Sequence, residues 1–203
     1  MALTCLALNC SLKRSGTVSS TDKILRELLA ELTRSGVSGE VVRVADLDIK
    51  PGVTADEGEG DAWPALRRRI LAADIIALGT PIWLGQPSSI AKRVLERMDA
   101  FLSETDEQGR MPTYGKVAVC AVVGNEDGGH HCHAEVFQAL NDVGFTVAAN
   151  AGTYWVGPAM GSKVYKDLSE PYEPTVRATR MAAANAAHLA GLLAGARYPG
   201  LAG

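Results

Sequence analysis

The chain has 203 residues, 47% hydrophobic and 21% charged, with a formal net charge of -3. That describes one globular domain, residues 1–203, with a sizeable core. No basic run marks a nucleic-acid surface, and no apolar segment reaches the length of a membrane span.

The elements alternate along the chain. Leu3–Leu8 is an apolar run that reads as a buried strand. Ile24, Leu25, Leu28, Leu29 and Leu32 form one face of a helix over Thr21–Ser35, which Gly36 can end in a left-handed conformation. Val41–Val44 is a second strand. The acidic stretch Asp56 to Asp61 reads as a surface turn before a helix over Trp63–Ala72, whose Arg67-Arg68-Arg69 reads as a solvated face. Ile75–Leu78 is a third strand. Ser88–Leu102 is a third helix, with an exposed Lys92–Glu96 pair. Val117–Val123 is a fourth strand, followed by a helix around Ala134–Val143. Phe145–Ala149 is a fifth strand, residues 151–173 are an irregular insertion, and Thr175–Ala196 is the closing helix.

Strands that are apolar throughout and separated by helices imply an α/β fold with a parallel sheet covered on both faces. Five such strands allow the doubly wound order 2-1-3-4-5. Ligands then sit beyond the carboxyl ends of the strands, at the switch point between strands one and three. The loops after strands one, three and four are therefore where chemistry is expected.

The first loop, Asn9 to Thr21, carries hydroxyls, one glycine and the cations Lys13 and Arg14 before a helix start. The unpaired N–H groups and dipole of a helix N-terminus favour an anion. Neither G-x-x-x-x-G-K-[ST] nor G-x-G-x-x-G occurs here, which argues against a nucleoside triphosphatase and a standard dinucleotide domain. Taken alone, the hydroxyls fit a helix cap as well as a monophosphate clamp. The loop after strand three, Gly79 to Ser89, is stiffened by Pro81 and Pro87 and carries Trp83, which can cover a flat ring or pack on the next helix. The loop after strand four, Gly124 to His130, has Gly128-Gly129 for close approach of backbone to a ligand and Asn125 and Asp127 for turns that expose N–H groups.

Together, Ser11–Thr21, Thr80–Ser88 and Gly124–Gly129 resemble the three flavin loops of the NADPH-dependent FMN reductase family, which is flavodoxin-like. The resemblance runs in order over roughly residues 3–150, and the middle motif is its most specific part. The family's usual Ser-Pro-Arg start and Asn-Thr end correspond here to Ser11-Leu12-Lys13 and Ser20-Thr21. The resemblance implies that Ser11, Lys13, Ser19, Ser20 and Thr21 hold the FMN phosphate. It places Pro81, Ile82, Trp83, Leu84 and Gly85 along the isoalloxazine, with Gly124, Asn125, Asp127, Gly128 and Gly129 closing the other side. The segment Gly152–Gly157 is assigned to a substrate or subunit surface near the flavin. A homodimer or homotetramer is also implied.

With FMN bound, the expected reaction is hydride transfer from NADPH or NADH to flavin N5 and on to a small-molecule acceptor such as a quinone or free flavin. No catalytic acid or base is needed, and none is nominated. Two alternatives remain: a flavodoxin-type electron carrier, against which the modest negative charge argues, and a flavin-binding interaction protein. His130-His131-Cys132-His133 is not assigned a metal, because only His130 and His133 share a helix face and zinc needs three or four ligands. These side chains are expected to cap the helix or face the site's mouth. Cys5, Cys10, Cys120 and Cys132 form no C-x-x-C pair, so reduced thiols in a cytoplasmic protein are expected. Met1 to Leu8 lacks the basic start and cleavage site of a signal peptide.

Overall fold

A computed structural model describes residues 2–201. Its elements are β1 (Leu3–Asn9), α1 (Ser20–Arg34), β2 (Val37–Arg43), α2 (Trp63–Ala72), β3 (Ile75–Trp83), β4 (Gln86–Pro87), α3 (Ser89–Met98), β5 (Val117–Gly124), α4 (Gly129–Asp142), β6 (Thr146–Val156) and α5 (Glu173–Gly195). The five long strands are parallel and lie in the order β2-β1-β3-β5-β6. That is the flavodoxin-like 2-1-3-4-5 arrangement, with β4 added as a short antiparallel partner to the end of β3.

Side-chain alternation along the strands divides the core into two layers. Cys5, Ala7, Ile75 and Ala77 pack beneath α1 and α5, while Leu6, Leu8, Ile76 and Leu78 pack beneath α2, α3 and α4. Ile24, Leu25, Leu28 and Leu32 of α1 are completely buried, each contributing about 1.5–3 kcal/mol. Ser19 caps α1 through its hydroxyl, and Gly36 has the expected left-handed φ of 79°.

Several local expectations are corrected. β3 runs on to Trp83, five residues past the apolar run, because β5 continues to pair with it through Pro81. The ladder to β1 ends at Gly79, so Pro81's missing N–H falls where one neighbour has already gone. Residues 151–156, expected in an irregular insertion, extend β6, whose register shifts between Ala118 and Cys120 of its partner. α3 ends at Met98 and tightens into a 3-10 turn over Asp99–Ser103. Lys92 does not pair with Glu96; it reaches across to Glu135 on α4. Arg67 is not simply solvated, since its guanidinium lies 5.3 Å from the Phe101 ring and meets Glu104.

The acidic turn is exposed at Asp56, Gly58, Glu59 and Gly60, but its last side chain departs from the expectation. Asp61 is fully buried against the equally buried Arg97 of α3, Nη2 to Oδ2 at 2.8 Å. Arg97 also donates to the carbonyls of Lys50 and Thr54, both at 3.0 Å. Burial works against the Asp61 carboxylate, yet donors from Glu57, Trp63, Lys50 and Arg97 together hold its pKa below the usual carboxylate range. The 50–61 segment is thereby fixed to α3.

Candidate functional site

The carboxyl ends of β1, β3 and β5 meet at one edge of the sheet. Between them lies a cleft of about 140 Å³ lined by residues of all three loops. One wall carries Ser11, Lys13, Ser19, Ser20 and Thr21. The cleft is lined as well by Pro81, Ile82 and Trp83 of the second loop and by Gly124 and Asn125 of the third. The floor is completed by Trp155 of β6 and by Val164 and Tyr165. A larger hollow of about 550 Å³ lies beside Tyr114 and Tyr198 and collects none of these groups.

The first loop is tied down at several points. Ser11 N donates to Asn9 Oδ1 at 3.0 Å, and Lys13 N donates to Ser11 Oγ at 3.2 Å. Ser19 Oγ accepts from Asp22 N at 3.4 Å. Ser20 Oγ accepts from Lys166 N at 3.1 Å, leaving its hydroxyl proton free to be donated elsewhere. Asp46, just beyond β2, takes both the amide and the hydroxyl of Ser15, and these two bonds hold its carboxyl below the ordinary range. Arg43, the last residue of β2, donates to the carbonyls of Lys13 and Thr17.

The second loop is a hairpin. Trp83 pairs with Gln86, and the turn residues Leu84 and Gly85 have φ of 52° and 76°. Two positive φ values in a two-residue turn match the strand twist, which is the type I′ solution. The turn delivers Trp83, 53% exposed, to the mouth of the cleft. Gln86 Nε2 lies 2.9 Å from His131 Nε2, and Glu126 Oε1 accepts from Leu84 N at 3.2 Å.

Leu84, Gly85, Asp127, Gly128 and Gly129 do not line the cleft. The glycines approach other parts of the protein instead. A Cβ on Gly128 would stand 2.7 Å from Gly85 O, so the hairpin tip and the α4 N-terminus pack backbone against backbone. A Cβ on Gly129 would press on Tyr154 and Val156. Asn125 does line the cleft, and its amide donates to Gly161 O at 2.6 Å.

The histidines lie inside the first turns of α4, which Gly128 caps. His133 is buried against Phe137, with Nε2 3.3 Å from Thr153 O; burial pushes its pKa down to about 4. His130 packs edge-on to Tyr154, and His131 meets Glu135 at 2.6 Å. Among the described residues no group of three or more His, Cys, Asp or Glu side chains is placed to hold a metal. All four cysteines are free and buried, and burial raises the Cys5 and Cys132 thiols to about 12 and about 11.

Sequence reasoning missed Tyr165, Val164, Arg43 and Asp46. Arg43 was within reach, because it stands in register with Asn9 on the neighbouring strand, where the first loop begins. Tyr165 had no local signal. Its hydroxyl donates to Glu27 of α1 and its ring lies 5.6 Å from that of Trp155, contacts made across the fold.

The cleft suits one kind of ligand. Hydroxyls, Lys13 and the start of a 15-residue helix offer donors and positive potential. Trp83, Ile82, Val123 and Trp155 offer apolar surface in the same cleft. A molecule with a terminal phosphate and a planar ring system, as FMN has, fits that donor set.

The comparisons with known proteins agree. The family model for NADPH-dependent FMN reductase matches residues 3–160. The 8-demethyl-8-aminoriboflavin-5'-phosphate synthase of Streptomyces davaonensis is 34% identical over 203 residues, covering 95% of this chain and 79% of that protein. The crystal structure of RosB with bound 8-demethyl-8-formylriboflavin-5'-phosphate superposes with a TM-score of 0.90 at 33% identity, covering 98% of this chain and 82% of RosB. The divalent metal cation transporter MntH of Mycobacterium bovis is 40% identical over 169 residues. That match takes in 81% of this chain, which spans only 25% of the transporter's length. Among the described residues no helix is long and apolar enough to cross a membrane. The chain belongs to the NADPH-dependent FMN reductase family, a flavin-related oxidoreductase group with FMN as cofactor and NADPH as reductant.

Proposed function

We propose that this chain binds FMN in the cleft and passes reducing equivalents from NADPH to a small-molecule acceptor, a quinone or a free flavin. The observation that carries this reading is the convergence of hydroxyl donors, Lys13 and exposed Trp83 on one cleft. Ser11, Ser19, Ser20 and Thr21 hold the phosphate through their hydroxyls and the helix amides, and Lys13 adds charge. Pro81, Ile82 and Trp83 lie along the ring, with Gly124 and Asn125 on its other side. Gly85 and Gly128 act through the backbone contact that holds the hairpin, Leu84 through its turn, Asp127 by accepting from Gly128 N, and Gly129 by packing on Tyr154 and Val156. The chemistry FMN supplies when bound is acceptance of a hydride from the nicotinamide and its return to an acceptor. The chain's own residues orient the ring and exclude water. NADH as an alternative reductant, a cytoplasmic location and a homodimer or homotetramer complete the proposal. Unpaired cysteines fit the location.

A second reading is favoured by the likeness to an enzyme named for making a modified riboflavin phosphate: the bound flavin phosphate is itself the substrate. One experiment separates the two. Purified protein is loaded with FMN, titrated anaerobically with NADPH, then given a quinone, and the flavin is extracted for mass measurement. Loss of flavin absorbance with NADPH, its return with quinone and an unchanged flavin mass support the proposal. No loss of absorbance rejects it in favour of an electron carrier or a binding protein. A changed flavin mass supports the second reading.

A further inference from the structure

The first loop has one glycine, Gly16, where many phosphate loops have several. A loop built from side-chain-bearing residues still has to turn its carbonyl oxygens away from an anion. Arg43 occupies the position where this can be done. Its side chain is only 12% exposed, and Nη1 lies 3.1 Å from Lys13 O and 3.5 Å from Thr17 O. Arg43 lines a second hollow with Thr17, Ser19 and Asp22 and is not among the residues that line the cleft. The Lys13 and Thr17 carbonyls are thus engaged by a side chain that does not line the cleft.

Asp22 poses a second difficulty. Its carboxylate lies in the first turn of α1, where it competes with a bound phosphate for the positive end of the helix. Arg43 Nη2 stands 3.3 Å from Asp22 Oδ1, which also accepts from Asn9 Nδ2 at 3.3 Å. Arg26 takes the other oxygen at 2.6 Å. One guanidinium thus reaches the early, middle and late parts of the loop: Lys13, Thr17 and the helix start.

We infer that Arg43 is a positioning residue for the flavin phosphate. It holds the Lys13 and Thr17 carbonyls outward and offsets the Asp22 charge, so that amides and hydroxyls face the anion. This rests on the reading that the FMN phosphate sits in the Ser11–Thr21 loop. It predicts a specific signature, because riboflavin has the same ring and no phosphate. Arg43 then contributes to FMN affinity and not to riboflavin affinity.

The test measures dissociation constants for FMN and riboflavin by quenching of flavin fluorescence, with wild type, Arg43→Met and Arg43→Lys. Expected for Arg43→Met is a weakening of FMN binding on the order of tenfold, the scale of one charge-assisted hydrogen bond, with riboflavin binding unchanged. Arg43→Lys keeps the charge beside Asp22 but lacks the fork that spans two carbonyls, so its preference for FMN should fall between the other two. Equal weakening for both ligands, or no weakening for either, overturns the inference. If Arg43→Met does not fold, Arg43→Lys decides, a wild-type FMN preference counting against the inference. Ser19→Ala combined with Thr21→Ala keeps this distinct from the site assignment. If that pair leaves the FMN preference intact, the phosphate lies elsewhere. If the pair abolishes the preference and Arg43→Met does not alter it, the role given to Arg43 alone fails.

Discussion

Arg97 and Asp61 form an ion pair in which both side chains are fully buried, Nη2 and Oδ2 standing 2.8 Å apart. Removing one partner leaves the other charged and desolvated, which costs about 3–5 kcal/mol. Arg97→Met and Asp61→Asn should each lose stability on that scale, measured by urea denaturation. The double variant Arg97→Met with Asp61→Leu should recover much of the loss, since apolar replacements often match a buried pair. Asp61 has a lowered folded pKa, so its stabilisation is complete above the ordinary aspartate value of about 3.9 and disappears as pH falls through the lower folded value. Asp61→Asn should therefore lose less stability than wild type on acidification below about pH 4.

His133 gives a second, higher pH window. Its folded pKa, pushed down to about 4 by burial, lies below the unfolded value of about 6.5. Between those values the unfolded chain binds a proton that the folded one refuses, so stability falls as pH drops from about 6.5 to about 4. The full span corresponds to about 3 kcal/mol. His133→Gln should flatten this part of the stability–pH curve while keeping a donor for Thr153 O. A curve of unchanged slope in the variant would show that the fold does not depress the His133 pKa.

The hairpin tip joins a strained residue to a tight contact. Leu84 is 92% exposed and adopts φ of 52°, a conformation that costs a β-carbon-bearing residue about 1–2 kcal/mol. Asparagine tolerates it better, so Leu84→Asn should raise stability by about 1 kcal/mol. Gly128→Ala should do the reverse. Its Cβ would meet Gly85 O at 2.7 Å, and its φ of 126° disfavours alanine. A loss of about 1–3 kcal/mol is expected, together with weaker FMN binding as the tip carrying Trp83 is displaced. Thermal melts of the flavin-free proteins and FMN titration check both variants.

The strand order could be read from the apolar runs because a parallel sheet buries both faces of each strand, and Leu3–Leu8, Ile75–Leu78 and Val117–Val123 show it. The hydroxyl loop and Trp83 were legible for a similar reason: the switch point of such a sheet is fixed by topology. What escaped was long-range. Asp61 reads as one more acid in an exposed turn until Arg97 is brought over it. Tyr165 joins the cleft only because β6 continues to Val156 and returns the chain across α1, where Lys23 Nζ donates to Tyr165 O at 3.1 Å. The glycines after β5 read as room for a ligand, whereas Gly128 approaches the backbone of Gly85 and Gly129 packs on Tyr154 and Val156. Periodicity reports which face is buried, and not which distant charge or backbone will meet it.

Trp83 provides the counterpart to Arg43. If the flavin ring rests on Trp83, the contact belongs to the ring and is shared by FMN and riboflavin. Trp83→Ala should weaken both ligands by the same factor, on the order of tenfold for an aromatic contact of about 0.5–1.5 kcal/mol together with its buried area. The indole is half exposed, so the flavin-free protein should change in stability by only about 0.5 kcal/mol. Trp63 and Trp155 are buried, leaving Trp83 as the solvent-exposed indole. Its fluorescence should be quenched by flavin and protected from acrylamide in the complex. Binding constants that do not move in Trp83→Ala would place the ring elsewhere and leave Trp83 as a hairpin residue alone.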